Sequence, residues 1–257
     1  MGSAAYPEFR HQQLREQIIS ARERLKPRYN VEHFLVYFQA YTNTFARVKS
    51  LNEQFEVASQ FEDVFGFVVG TRPDCISDGV FELWNKWAQK LFLAVEFGVQ
   101  SFNEEHLLWM ERGHTAERSI KAIHRTNSNC PDVDLGIHLI FGLPGETDND
   151  IINSANICNS LPIDNVKLHN LHVLKETPLE EMYNQGDYVP MTRDEYTDKV
   201  ILFLQHLKPT IAVHRLTAVA SRHDELVAPD WAKSKLDNYQ FVIDSFKDQK
   251  AYQGQYL

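Results

Sequence analysis

Apolar residues along the chain follow two patterns: short continuous runs bounded by turn residues, and longer stretches in which they recur three or four positions apart. The first pattern reads as buried strands and the second as amphipathic helices. Residues 8–26 space Leu14, Ile18, Ala21 and Leu25 among charged neighbours, which predicts a helix closed by Pro27. Residues 34–40 form a β-prone run, followed by a polar loop and a helix with Val48, Leu51, Phe55 and Ala58 on one face. The unit recurs at 64–69, where Gly70-Thr-Arg-Pro-Asp74 follows and Ser77 stands ready to cap a helix showing Val80, Leu83, Trp84 and Trp87. Residues 91–97 repeat it, followed by a helix with Leu107 and Met110 and by a second one, capped by Thr115, with Ile120 and Ile123.

Residues 134–141 form the next run, which stops on Gly142, Pro144 and Gly145; Thr147 then caps a helix through Ile151, Ala155 and Cys158 that ends near Pro162. A fifth strand is predicted over 166–173. Thr192 and Glu195 make a capping box ahead of Val200, Phe203, Leu204 and Leu207. Residues 211–216 read as a sixth strand, and a helix over 236–246 precedes a polar tail.

Six such strands alternating with helices require a parallel sheet covered by helices. No GxGxxG follows the first strand, and polar residues recur after every strand end instead of at one switch point. The expected fold class is therefore α/β, a partial TIM-like (βα)6 barrel, in preference to a doubly wound sheet. With 257 residues and no linker signature, one domain is expected over 1–257, with an amino-terminal helix over 1–30 and a carboxyl-terminal helical extension over 218–257.

A content of 43% hydrophobic and 24% charged residues is that of a globular protein. No run of about 18 apolar residues could span a bilayer, and no basic segment followed by an apolar one opens the chain. A cytoplasmic location with no membrane partner is expected. The net charge of −9 argues against a protein whose main task is gripping a nucleic-acid backbone, while leaving room for a local basic groove. Cys75, Cys130 and Cys158 have no close pair, which suits reduced thiols and offers neither a disulfide framework nor a CxxC metal knuckle.

In a parallel barrel the groups at successive strand ends converge on one mouth. The candidates are Gln39, Tyr41 and Asn43; Thr71, Arg72 and Asp74; Glu96, Gln100 and Ser101; His138 and Glu146; His169, His172 and Lys175; and His214 and Arg215. His169 and His172, three apart on one strand, must point to opposite faces. Glu96 interrupts an apolar strand and, once buried, needs a partner such as Arg72 or Arg112. The stretch Gly142 to Thr147 permits close backbone approach and leads into a helix N-terminus, a place for a carboxylate or phosphate; it reads equally as a tight βα turn.

These residues also carry a resemblance. The series Tyr37-Phe-Gln-Ala-Tyr-Thr-Asn-Thr44, Gly70-Thr-Arg-Pro-Asp-Cys75, Val95-Glu-Phe-Gly-Val-Gln-Ser101, Arg112-Gly-His114, His138-Leu-Ile-Phe-Gly-Leu-Pro-Gly-Glu146, Lys167 to Lys175 and His214-Arg-Leu-Thr217 resembles a bacterial family of radical S-adenosylmethionine (SAM) proteins. That family is related to the elongator catalytic subunit and, more distantly, to the oxygen-independent coproporphyrinogen oxidases. The resemblance implies a partial radical-SAM barrel whose mouth holds SAM and a [4Fe–4S] cluster. It implies that Gln100 and Arg112 contact the SAM amino-acid part, that His138 stands in the place of a ribose-binding Asp, and that Gly142 to Gly145 lie along the adenine. Glu96 joins this cofactor-binding set, and Gly70 stands where relatives often carry Glu. No catalytic residue and no protein metal ligand is assigned.

The family's CxxxCxxC is expected ahead of the region of Gly2 and Ser3, on the loop of a strand preceding Phe34, and Cys75, Cys130 and Cys158 cannot replace it by spacing. The chain alone is therefore expected to be inactive, and a missing segment or a partner is expected to cover the edge of the 34–40 strand. The substrate is a small molecule or, by analogy with elongator, RNA. Two rival readings remain: a metal-dependent barrel enzyme built on His138, His172 and His214 with Glu96, and a non-catalytic binding module.

Overall fold

The two patterns fold into alternating strands and helices in a computed structural model that describes residues 13–39, 42–220 and 223–257. Helix α1 (Leu14–Tyr29) turns Ile18 inward and leaves its charged face in water. Pro27 does not close it: the ring removes one amide donor near the exposed end, and the helix continues until Asn30 turns left-handed and its N–H bonds the Lys26 carbonyl. The expected helical residues before 13 lie outside the described residues.

The order continues with β1 (Phe34–Phe38), a 3-10 turn (Asn43–Phe45), α2 (Val48–Ala58), β2 (Val64–Thr71), α3 (Asp78–Ala88), β3 (Phe92–Gln100), α4 (Glu104–Trp109) and α5 (Ala116–Asn129). Then come β4 (Asp134–Phe141), α6 (Asp148–Ser160), β5 (Asn165–Asn170), β6 (Val173–Leu174), α7 (Pro178–Gln185), α8 (Arg193–His206), β7 (Ala212–Arg215), β8 (Leu226–Ala228), a 3-10 turn (Asp230–Lys233) and α9 (Lys235–Asp248). Six parallel strands make one sheet in the order β1-β2-β3-β4-β5-β7, the architecture of a partial (βα)6 barrel. Strands β6 and β8 form a separate antiparallel pair. The described residues cluster into two compact units, one running through Gly98 with Arg118–Gly136, the other Val99–Glu117 with Ile137–Leu257.

The first unit is built on aromatic packing. Phe38 of β1, Phe67 of β2, Phe55 of α2 and Trp87 of α3 stack with ring centroids 4.8–5.9 Å apart, all nearly fully buried. Helix α1 is tied down beside them by Arg22 and Lys26, both on Asp63 just ahead of β2. Ser77 takes the N-cap position of α3 without a side-chain cap bond. Gly66 of β2 stands opposite Phe92 of β3, and a Cβ there would lie 2.1 Å from the Phe92 carbonyl oxygen.

In the second unit, Phe141 of β4 packs edge-on against Phe203 of α8 at 5.5 Å. The capping box read from the sequence, Thr192 with Glu195, is present, and Thr147, read as a cap, forms a second box with Asp150. The tail binds α8, with Gly254 N–H donating to the Leu204 carbonyl and Tyr256 N–H to that of Gln205. Two features depart from the sequence expectations. Strand β5 ends at Asn170 instead of 173, because the Leu171 amide turns to the Phe141 carbonyl and Asn170 Oδ1 accepts from Ala218 N–H. The pair β6–β8 and helix α7, capped by Thr177, went unforeseen, being too short to show a period. The α5 amide at Ala116 is taken by Glu104 Oε1.

Gly66→Ala should cost about 3 kcal/mol, the upper end of overpacking, because the obstruction is strand backbone and not a movable side chain. Urea unfolding of the parent and the variant measures it.

Candidate functional site

In the first unit, Glu96 on β3 is 3% exposed and accepts a 2.7 Å hydrogen bond from the Tyr37 hydroxyl of β1. Tyr37 reaches it over Gly70, where a Cβ would stand 3.5 Å from the tyrosine ring and hydroxyl. Gly70 thus lies within β2, not after it. Arg72 is engaged elsewhere: its guanidinium forks onto Asp74, with Nε–Oδ1 at 2.9 Å and Nη2–Oδ2 at 2.7 Å. Thr71 and Thr44 share a buried 2.6 Å hydroxyl contact. Gln39 is exposed beyond β1, and Tyr41 and the Asn43 side chain lie outside the described residues.

The second unit gathers most of the other candidates. Side chains alternate along β4, so with Ile137, Leu139 and Phe141 buried on the α8 side, His138 takes the opposite face. There its ring lies 5.2 Å from that of His169 on the neighbouring β5, and Arg215 of β7 donates to His169 Nε2. Burial, followed by Arg215 and His138, holds His169 well below the usual imidazole range. His172 does not belong to the cluster. It lies past the end of β5, its Nε2 2.8 Å from Asn170 Nδ2 and its other nitrogen bonded to the Ala218 carbonyl, with burial pushing its pKa down to about 4. His214 and Lys175 are exposed, so His138, His172 and His214 do not converge. Among the described residues no group of three or more His, Cys, Asp or Glu is placed to hold a metal ion.

Gln100 ends β3 at φ 70°, a left-handed conformation that costs a non-glycine residue about 1 kcal/mol and that concentrates at ligand sites. Arg112 follows α4, with its N–H on the Leu107 carbonyl and its own carbonyl accepting from His114 Nδ1 at 3.2 Å. Gly113 beside it has φ 69°.

The loop leaving β4 is held from three sides. Gly142, at φ 97°, gives its N–H to Glu146 Oε2 at 2.8 Å and receives the Tyr188 hydroxyl on its carbonyl at 3.0 Å. His106 of α4 is buried, with Nδ1 3.3 Å from Ser101 Oγ and a hydrogen bond to the Pro144 carbonyl. Asn103, the α4 cap, reaches Asp150 at 2.9 Å. Gly145, at φ 74°, would meet nothing within 4 Å with a Cβ, so its surroundings are open. His106, Tyr188 and Asn103 escaped the sequence reading. The Asn103-x-Glu105 start of α4 was visible, but only the fold brings that helix to the Pro144 carbonyl.

A model described as the radical SAM superfamily matches residues 11–158, and one described as the Radical_SAM C-terminal domain matches 163–248. The chain belongs to the radical SAM superfamily. An uncharacterized protein of Methanocaldococcus jannaschii is 32% identical over 244 residues, 94% of this chain and 74% of that one. The YtqA protein of Bacillus subtilis is 28% identical over 256 residues, 100% and 79%. A shorter stretch of 145 residues, 55% of this chain and 26% of the relative, is 30% identical to the M. jannaschii protein named tRNA uridine(34) acetyltransferase. Among solved structures, archaeal Elp3 of Methanocaldococcus infernus superposes with a TM-score of 0.74 at 18% identity, covering 93% of this chain and 59% of that one. At that identity the likeness shows the fold alone. No helix among the described residues is long and apolar enough to cross a membrane.

Membership of the superfamily implies SAM and a [4Fe–4S] cluster. The second unit carries group types that match the parts of SAM, the Gln100 amide, the Arg112 guanidinium and the His138 imidazole, and a glycine turn with open surroundings at Gly145. The thiols do not suit an iron–sulfur cluster. Cys130 is buried against the Phe81 carbonyl with its pKa pushed up to about 11, Cys158 is wholly buried and pushed higher, and Cys75 is raised by burial and by Asp74. Thiolate ligands need the opposite environment.

Burial keeps His106 below the ordinary imidazole value, against the pull of Asp150, Glu105 and the Pro144 carbonyl. A folded-state pKa below the unfolded one gives stability that is present above the unfolded value of 6.5 and is lost as pH falls. His106→Gln should therefore lose less stability than the parent between about pH 7.5 and about pH 5, as read by thermal unfolding at each pH.

Proposed function

We propose that this chain is the SAM-binding portion of a radical SAM enzyme and that SAM is held on its second unit. The observation that carries the reading is Gln100, a non-glycine residue in the left-handed region at the end of β3. Such strain persists where a ligand needs the side chain aimed one way. In this reading the Arg112 guanidinium pairs with the SAM carboxylate and the Gln100 amide with its amino group. The His138 imidazole takes a ribose hydroxyl, and the Gly142 to Gly145 backbone lies along the adenine. Glu96, placed with the cofactor contacts in the sequence reading, serves here as the hydrogen-bond partner of Tyr37. When bound beside a [4Fe–4S] cluster, SAM supplies the superfamily with a 5′-deoxyadenosyl radical.

The environments of Cys75, Cys130 and Cys158 lead us to infer that this chain alone does not assemble the cluster, and so does not perform the radical step by itself. The substrate we propose is a nucleoside in RNA, supported by the partial match to a protein named for tRNA uridine(34). With a net charge of −9, RNA binding would be local and weakened by salt.

Titration with S-adenosylhomocysteine, which shares the adenosine and amino-acid groups, tests the cofactor site. Arg112→Ala should weaken binding about tenfold or more, the scale of a charge-assisted pair. Gln100→Gly should raise stability by about 1 kcal/mol while weakening binding, because strain is released and the amide is lost. A Gln100→Gly variant that is neither more stable nor weaker in binding removes the basis for this site. Anaerobic iron–sulfide reconstitution of the chain should yield no four-iron absorbance band; a stable band would overturn the inference about its thiols. Filter retention of bulk tRNA that vanishes with added salt supports RNA, whereas no retention at low salt leaves a small-molecule substrate.

A further inference from the structure

The loop after β4 is held by groups that the assignment of SAM contacts leaves unused. Gly142 has left the sheet, and both of its backbone polar groups are claimed by side chains: its amide by Glu146 and its carbonyl by Tyr188. A third hold acts two residues on, where His106 bonds the Pro144 carbonyl. On the Leu171 and Met191 side, an added Cβ at Gly142 would meet both at 3.7 Å, ordinary contact. The amide can be satisfied locally only because Glu146 folds back over the turn.

We propose that Glu146 is the positioning residue of this loop, and that its proton decides how firmly the Gly142 to Gly145 backbone is held for a bound nucleoside. This rests on the reading that SAM lies along that backbone. The charged groups that act on Glu146 come from three elements. Lys199 of α8 favours the carboxylate, Asp150 of α6 opposes it, and the hydroxyls of Tyr188, between α7 and α8, and of Tyr196 on α8 feel its charge in turn. Burial outweighs the Gly142 hydrogen bond and Lys199 and pushes the Glu146 pKa from 4.5 up to about 7. A folded-state pKa raised in this way makes the held loop most stable below pH 4.5, and that stability is lost as pH rises through about 7. Above that value the loop must bury a charge to stay closed, and opening it to water relieves the cost. Binding that needs the closed loop therefore weakens as pH rises.

The test is calorimetric titration of the whole chain with S-adenosylhomocysteine between about pH 6 and about pH 8.5, bracketing the titration of Glu146. For the parent, affinity should fall about tenfold across that range, the equivalent of one pKa unit of coupling. Glu146→Gln keeps an acceptor for the Gly142 amide without the charge, so it should fold and hold the low-pH affinity throughout. Tyr188→Phe removes the bond to the Gly142 carbonyl, and it should weaken binding while keeping the fall with pH. Amide exchange at Gly142, followed by mass spectrometry, should lose protection with rising pH in the parent and not in Glu146→Gln. Equal pH dependence in the parent and Glu146→Gln, or none in either, overturns the role of Glu146 and leaves the SAM site standing. Absence of binding in every protein at every pH overturns both.

Discussion

A parallel strand that leaves its sheet inside a protein carries amide and carbonyl groups with no further ladder to join, and each must be satisfied away from bulk water. In the second unit this constraint recurs at three strand exits. After β4, Gly142 is held through Glu146 and Tyr188. After β5, the Leu171 amide turns to the Phe141 carbonyl. After β7, the Leu216 carbonyl accepts from the buried Tyr196 hydroxyl and the Ala218 amide donates to Asn170. The side chains that close these exits therefore shape the loops, and the loops are where this fold binds ligands.

The same constraint separates two kinds of histidine. His106 and His172 are spent on loop carbonyls, of Pro144 and Ala218, and burial keeps both in their neutral range. His138 and His169 lie instead on the sheet face turned away from the α8 packing, with their rings 5.2 Å apart and Arg215 bonded to His169. Counting histidines at strand ends treats the four alike, and only hydrogen-bond accounting tells them apart. Glu96 shows the reverse case. A buried carboxylate suggests a charged partner, yet Tyr37 meets it, and Gly70 makes the room for that tyrosine to pass.

Membership of the radical SAM superfamily narrows the chemistry without naming the substrate. The chain spans about three quarters of the length of the M. jannaschii and B. subtilis relatives and 59% of the Elp3 chain. Cys130 and Cys158 are buried in surroundings suited to packing, and Cys75 sits beside the Arg72–Asp74 pair. Of the groups proposed to meet SAM, Gln100 ends β3, His138 lies within β4 and Arg112 follows α4.

By itself, the sequence determined the alternation of strands and helices, the parallel sheet, the Thr192–Glu195 capping box and the Thr147 cap. Each follows from local spacing, from continuous apolar runs and from cap residues three positions apart. Local spacing also located the glycine turn after β4, because only glycine accepts the backbone angles there. It could not determine where β5 ends, since the competing acceptors, the Phe141 carbonyl and Asn170, come from a neighbouring strand and from the strand's own last side chain. Nor could it find the short β6–β8 pair, whose partners are about fifty residues apart and too brief to show a period. The Tyr37–Glu96, His106–Pro144 and Tyr188–Gly142 bonds were decided only by tertiary structure, because hydrogen bonding of a buried polar group depends on which distant atom the fold brings within reach.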